Sequence, residues 1–120
     1  MPIKVTYTIT RPSTDVEFHN DFFWMLSTTI SYVKNTYETT GKLLSTSVDY
    51  RDDLVNIWIE YWDTMESFEE FLADPFIVQG SISRNQYREE NNITVTYVTE
   101  DVPISSVPVG IFYQSPLTID

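Results

Sequence analysis

An α+β domain with the element order β-α-β-β-α-β is what this chain predicts, and three observations predict it. Short runs alternate apolar and polar residues near both ends and in the middle. Two longer stretches repeat apolar residues at spacings of three and four. The two middle alternating runs are joined only by Arg51-Asp52-Asp53. A period of two marks a half-buried strand, a period near 3.6 a helix, and a short turn between two strands a hairpin.

Ile3, Val5, Tyr7 and Ile9 alternate with Lys4, Thr6, Thr8 and Thr10, which predicts the first strand; Arg11-Pro12-Ser13 ends it, since proline donates nothing to a ladder. A helix follows. Its best start is Thr14-x-x-Glu17, a capping-box pattern, with a later start near Asn20 as the second option. Phe23, Leu26, Ile30, Val33 and Tyr37 form its apolar stripe, and Gly41 stops it just past Thr40. Leu44, Thr46, Val48 and Tyr50 alternate as the second strand, and residues 54–62 as the third, antiparallel to it. Asp63-x-x-Glu66 opens a second helix carrying Phe68, Phe71 and Leu72. Asp74-Pro75, an N-cap followed by proline, starts a further helical segment to about Glu90, with Gly80 as its weak point. After the Asn91-Asn92 turn, Ile93, Val95 and Tyr97 make the fourth strand. This is the ferredoxin-like order: a four-stranded antiparallel sheet with helices on one face.

The third strand sorts into Val55, Ile57, Ile59 and Tyr61 on one side and Leu54, Asn56, Trp58, Glu60 and Trp62 on the other. If the first set packs on the helices, Trp58 and Trp62 lie on the open face. Large exposed rings mark an interface, so a homodimer with stacked sheets and Trp58 and Trp62 as anchors is expected. Residues 1–99 then form the domain, and residues 100–120 an extension. Its Val107, Val109, Ile111, Phe112 and Tyr113 are too apolar for a disordered tail. Residues 109–113 are expected to dock as a short strand on this sheet or a partner's, and residues 101–120 could contact a protein partner.

Composition narrows the function. With 18 acids against 7 bases, a net charge of −11, and acids without a base between Glu60 and Asp74, the chain lacks the positive footprint that nucleic acid or an anionic membrane requires. With no cysteine there is no disulfide framework, thiolate site or Cys nucleophile. The start has no basic region leading into an apolar run, and a soluble cytoplasmic protein is expected. No P-loop or nucleophile elbow is present.

The single histidine lies in Asp15-Val16-Glu17-Phe18-His19-Asn20-Asp21. Extended, the segment would put Asp15, Glu17, His19 and Asp21 on one face, a set able to hold a divalent cation. Helical, it reads as a solvated acidic first turn. The helical reading is taken, so neither a metal nor another cofactor is expected. A pocket for a flat apolar ligand is expected from Tyr7, Trp24, Tyr32, Trp62, Phe68 and Phe71, with Glu60 as a group able to move a proton. Core packing explains the same rings without further assumptions and is the favoured reading.

Glu60-Tyr61-Trp62-Asp63, followed by Glu66, Phe68, Phe71 and Asp74-Pro75, resembles the dimeric α/β-barrel superfamily, which includes the antibiotic-biosynthesis monooxygenases and haem-degrading monooxygenases. The resemblance implies a dimeric α/β barrel over residues 1–99 and, in its cofactor-free members, oxygen chemistry on a bound aromatic. Two departures stand out. Enzymes of the group often carry a His nine residues after the Trp, where this chain has Phe71; some use an Asn on the first strand, where this chain has Ile3, Val5, Tyr7 and Ile9 facing the helices. Residues 10–18 and Thr40-Gly41-Lys42 also resemble short proteins of marine tailed phages, which implies host cytoplasm or the virion as location. Two functions follow as expectations: a non-catalytic interaction or virion-associated module, which the departures favour, and a monooxygenase-like enzyme or binder of a small aromatic ligand, which the tryptophan-bearing strand favours.

Overall fold

The computed structural model describes residues 1–18 and 23–110. Strands β1 (Ile3–Thr10), β2 (Leu43–Asp52), β3 (Val55–Trp62) and β4 (Thr94–Asp101) form one antiparallel sheet in the order β2-β3-β1-β4. Helices α1 (Ser27–Val33), α2 (Met65–Ala73), α3 (Pro75–Gly80) and α4 (Ile82–Glu90) complete the expected α+β ferredoxin-like fold.

Strand register decides which side chains meet the helices. On β1, Ile3, Val5, Tyr7 and Ile9 lie opposite Trp62, Glu60, Trp58 and Asn56 of β3, and residues directly opposite share a face. Ile3, Val5 and Trp62 pack with Val33 of α1, Phe68 and Phe71 of α2 and Ile77 of α3 in the main core. The expectation for β3 is therefore inverted. Trp58 and Trp62 face the helices, and Trp62 is 0% exposed, so it has no surface to offer a partner. Leu54 belongs to the hairpin turn, where its N–H donates to Asp52 Oδ1 at 2.8 Å. Ile57 and Tyr61, on the other face, are buried as well.

The first helix also differs from expectation. The Thr14–Glu17 pattern caps nothing, because residues 14–18 are turn and irregular chain. Arg11 holds them: its guanidinium donates to the Val16 and Asp53 carbonyls and lies 4.3 Å from the centre of the Phe18 ring. That clamp buries Phe18 in a second cluster with Ile9 and Ile93, which a helix from Thr14 does not replace. The alternative start near Asn20 lies outside the described residues, as do His19 and Asp21. The helix begins at Ser27, after a 3₁₀ turn at Phe23–Met25, and continues into a π-wound turn, Lys34–Glu38, closed by Thr39 N–H to the Lys34 carbonyl. Gly41 follows at φ +79°, the left-handed stop expected there.

Thr64, one residue later than expected, caps α2 by accepting from Ser67 N–H. Asp74 caps α3 as expected, accepting from Phe76 N–H at 2.9 Å with Pro75 at the first position. The helix breaks between Gly80 and Ile82, separating α3 from α4. The edge of the Phe23 ring lies on the Gly80 backbone, where an added Cβ would come within 2.1 Å of it. After β4 the chain bonds to the N-terminus (Val102 N–H to the Pro2 carbonyl). It then reaches the opposite edge of the sheet, where the Gly110 carbonyl accepts from Thr46 N–H and Ser45 Oγ. The residues 111–113 of the expected extra strand lie outside the described residues. No helix among the described residues is long and apolar enough to cross a membrane.

Candidate functional site

Between the sheet and the helices lies a cavity of about 320 Å³. Its floor is Tyr7 and Ile9 of β1 with Trp58, Glu60 and Trp62 of β3; its roof comes from the Trp24 turn and from α1, α2, α3 and α4. All three tryptophans of the chain stand in its wall. Leu72, Val78 and Tyr97 line it yet remain exposed, so the cavity opens to solvent.

Glu60 is the chemical centre. A strand puts residues i−2, i and i+2 on one face, and the indole N–H groups of Trp58 and Trp62 use that spacing. Trp58 Nε1 donates to Glu60 Oε2 at 2.9 Å and Trp62 Nε1 to Oε1 at 3.0 Å. Burial pushes the Glu60 carboxyl up from its usual range, against the two indole hydrogen bonds and Arg84, which favour the ionised form. Each oxygen accepts one bond and retains a lone pair. Such a carboxylate is held in place and more basic than one in water. Tyr7 shares the cavity; burial first, then the charge of Glu60, pushes its phenol well above its usual pKa of 10. It therefore stays protonated and can donate a hydrogen bond.

Of the seven expected pocket residues, Tyr7, Trp24, Glu60, Trp62 and Phe71 line the cavity. Phe68 does not; it lies under Trp62 and Tyr97. Tyr32 does not either. Its hydroxyl donates to Asp74 Oδ2 at 2.6 Å, and the Tyr37 hydroxyl donates to the same oxygen. Residues the sequence reading missed are Trp58 as a wall, Tyr97, and the row Ser81, Arg84, Asn85 and Arg88 of the α4 region. That row follows a spacing of i, i+3, i+4, i+7, a readable helical stripe. Among the described residues no cluster of His, Cys, Asp or Glu could hold a metal ion.

The Asp74 network ties the roof together. Burial raises the Asp74 carboxyl, but the two phenol O–H groups and the N–H groups of Phe76 and Ile77 outweigh it and hold its pKa below the usual 3.8. A lowered carboxylate contributes stability at pH values above its unfolded pKa, and that contribution is lost as pH falls through the folded value. Asp74→Ala removes the cap of α3 and strands the buried Tyr37 hydroxyl, for an expected cost of about 2–4 kcal/mol. Urea unfolding at pH 7 checks this. An unchanged midpoint would mean that the network bears no load.

No family model and no curated protein matches the sequence. Solved structures do match its fold. A cofactor-independent oxygenase from Streptomyces nogalater superposes at TM-score 0.52 with 8% identity, covering 85% of this chain and 93% of that one. A protein from Deinococcus radiodurans, named as a candidate antibiotic biosynthesis monooxygenase, does so at 0.52 with 16% identity, over 89% and 99%. A dimeric ferredoxin-like protein from an uncultured marine organism gives 0.50 with 12% identity, over 86% and 96%. The chain has the ferredoxin-like fold of these proteins. At such identities the likeness is one of fold, and nothing in it bears on a phage origin.

Proposed function

We propose that the chain binds a small, flat hydroxyaromatic molecule in the cavity beneath its helices and can act on it as a cofactor-free oxygenase, working as a homodimer. The observation that carries this reading is the half-buried Glu60 carboxylate, clamped by Trp58 and Trp62 in the wall of a mostly apolar cavity. Ligand pockets typically run from ~300 to 1,000 Å³ with few polar groups, and this one sits at the small end. A carboxylate with a raised pKa is suited to taking the proton of a ring hydroxyl or an activated ring CH₂ group. The ligand anion would then supply the electrons: dioxygen takes them, one oxygen atom enters the ring as a carbonyl and the other leaves as water. The protein contributes orientation, a dry site and the proton acceptor. The named activities of the Streptomyces and Deinococcus proteins and the dimeric state of the marine protein agree with this reading. The interaction module, the other expectation, rests on the sequence departures at Phe71 and on the first strand.

Because all three tryptophans line the cavity, their fluorescence reports occupancy. Titration with 2-naphthol is expected to quench it saturably, at one ligand per chain. A linear, unsaturable response would remove the pocket reading.

A further inference from the structure

The roof of the cavity carries polar atoms that the packing of the chain leaves unused. Trp24 Nε1, Thr29 Oγ1 and Ser81 Oγ are shielded from water and have no hydrogen-bond partner among the described residues. All three residues line the cavity; Thr29 is 1% exposed and Ser81 5%. Buried polar groups are almost always paired, because an unpaired one costs its full desolvation. Both hydroxyls also forgo the partners that such residues ordinarily take. A threonine in a helix can turn its hydroxyl onto a carbonyl of the preceding turn, as Thr39 and Thr40 do onto Asn35 and Thr36; Thr29 of α1 does not. Ser81 stands at the N-cap of α4, yet its side chain caps nothing, unlike Thr64 on α2 and Asp74 on α3. Valine and alanine would fill these two places without the cost, so stability explains neither hydroxyl. The set is also gathered in one region. The Phe23 ring lies on the backbone of Gly80, which brings the turn holding Trp24 against the helix break holding Ser81.

We propose that these roof atoms recognise an uncharged carboxamide, so that the cavity takes a hydroxyaromatic carboxamide with its hydroxyl at Glu60 on the floor. This rests on the pocket reading above and names the ligand class for it. Donor and acceptor counting selects the group. The indole N–H can only donate, and each hydroxyl can donate or accept. An amide carbonyl accepts twice and its NH₂ donates twice, which gives each of the three atoms a partner. A ketone accepts twice and donates nothing, so one of the three stays unpaired. A carboxylate would bring a second anion into a cavity that already holds Glu60, and like charges crowded together disfavour ionisation. Arg84 and Arg88 of the same wall have interactions of their own and are no part of the set.

The test titrates the chain calorimetrically at pH 7 with 6-hydroxy-2-naphthamide, with 6-hydroxy-2-acetonaphthone, the methyl ketone of the same shape, and with 2-naphthol. The amide is expected to bind at least about tenfold more tightly than 2-naphthol, and several-fold more tightly than the ketone. Thr29→Val and Ser81→Ala should each cut the advantage of the amide over 2-naphthol by about threefold to tenfold. Each should also raise the urea midpoint of the ligand-free chain, since it removes an unpaired buried hydroxyl. A hydroxyl that serves the fold would do the opposite: its loss would lower the midpoint, or prevent folding, and that result would overturn the assignment. Equal affinity for the amide and 2-naphthol would overturn the carboxamide inference and leave the pocket standing. Tighter binding of the ketone, or of 6-hydroxy-2-naphthoate, would do the same. Failure of every probe to bind would overturn both readings. An advantage of the amide that survives both substitutions would also refute the assignment, because the amide would then sit elsewhere.

Discussion

Trp62→Ala is expected to destabilise the chain by about 3–5 kcal/mol, the range for removing a fully buried large aromatic. Trp62 is 0% exposed and packs its ring against Tyr37, Phe68 and Phe71. The substitution also takes a hydrogen bond from the half-buried Glu60 carboxylate. Trp62→Phe keeps most of the ring and loses only the N–H, so it should cost markedly less. Urea unfolding supplies the energies, and native mass the assembly state. This pair separates the two possible faces of β3. A tryptophan turned outward at an interface would, when truncated, change the mass and leave the unfolding of the single chain nearly untouched. A loss of stability with unchanged mass is what the observed register requires.

Glu60→Gln is expected to lower turnover of a hydroxyaromatic ligand by about 10²–10⁴-fold, the usual worth of a positioned general base. It should also alter the dependence of stability on pH. Burial lifts the Glu60 carboxyl above its ordinary 4.5. A group whose folded pKa is raised contributes stability that is complete below the unfolded pKa and is lost as pH rises through the folded one. The parent chain should therefore lose thermal stability over the range that starts near pH 4.5 and ends at the Glu60 pKa, and the Gln variant should lack that component. Thermal midpoints from pH 4 to 8 and oxygen uptake with a dihydroxynaphthalene ligand provide the two readouts. Identical pH profiles for the two proteins would show that Glu60 does not titrate as a buried carboxylate. Equal turnover would remove it as the proton acceptor.

Sequence alone carried the order of elements because each boundary has a local physical cause. Pro12 ends a strand, Gly41 takes a left-handed φ, and Asp74-Pro75 caps a helix. What it could not carry was the side of β3 that meets the helices. Alternation distinguishes two faces only when one is wet, and here Ile57 and Tyr61 are buried on one side while Trp58 and Trp62 are buried on the other. The answer lies in the pairing of Val5 with Glu60 and Ile3 with Trp62, a long-range fact. The same limit explains the pocket. Tyr7, Trp24, Glu60, Trp62 and Phe71 were legible as aromatic or acidic groups on the right elements. Tyr32 and Phe68 looked alike in composition but are spent on the Asp74 network and on core packing. Arg84 and Arg88 gave no signal, since nothing local tells a helix to turn its polar stripe inward.

The landing of Gly110 on Ser45 and Thr46 has a consequence for colloidal behaviour. β2 is an outer strand of the sheet, and an outer strand offers unpaired amides on which foreign strands can grow. The Gly110 carbonyl occupies the Thr46 amide at the place where such growth would begin. A proteolytic clip in the stretch leading to Gly110 would bare that amide while leaving the four strands and the cavity in place. Nicked material would then be prone to edge-to-edge fibrillation, with the intact chain protected by its own backbone.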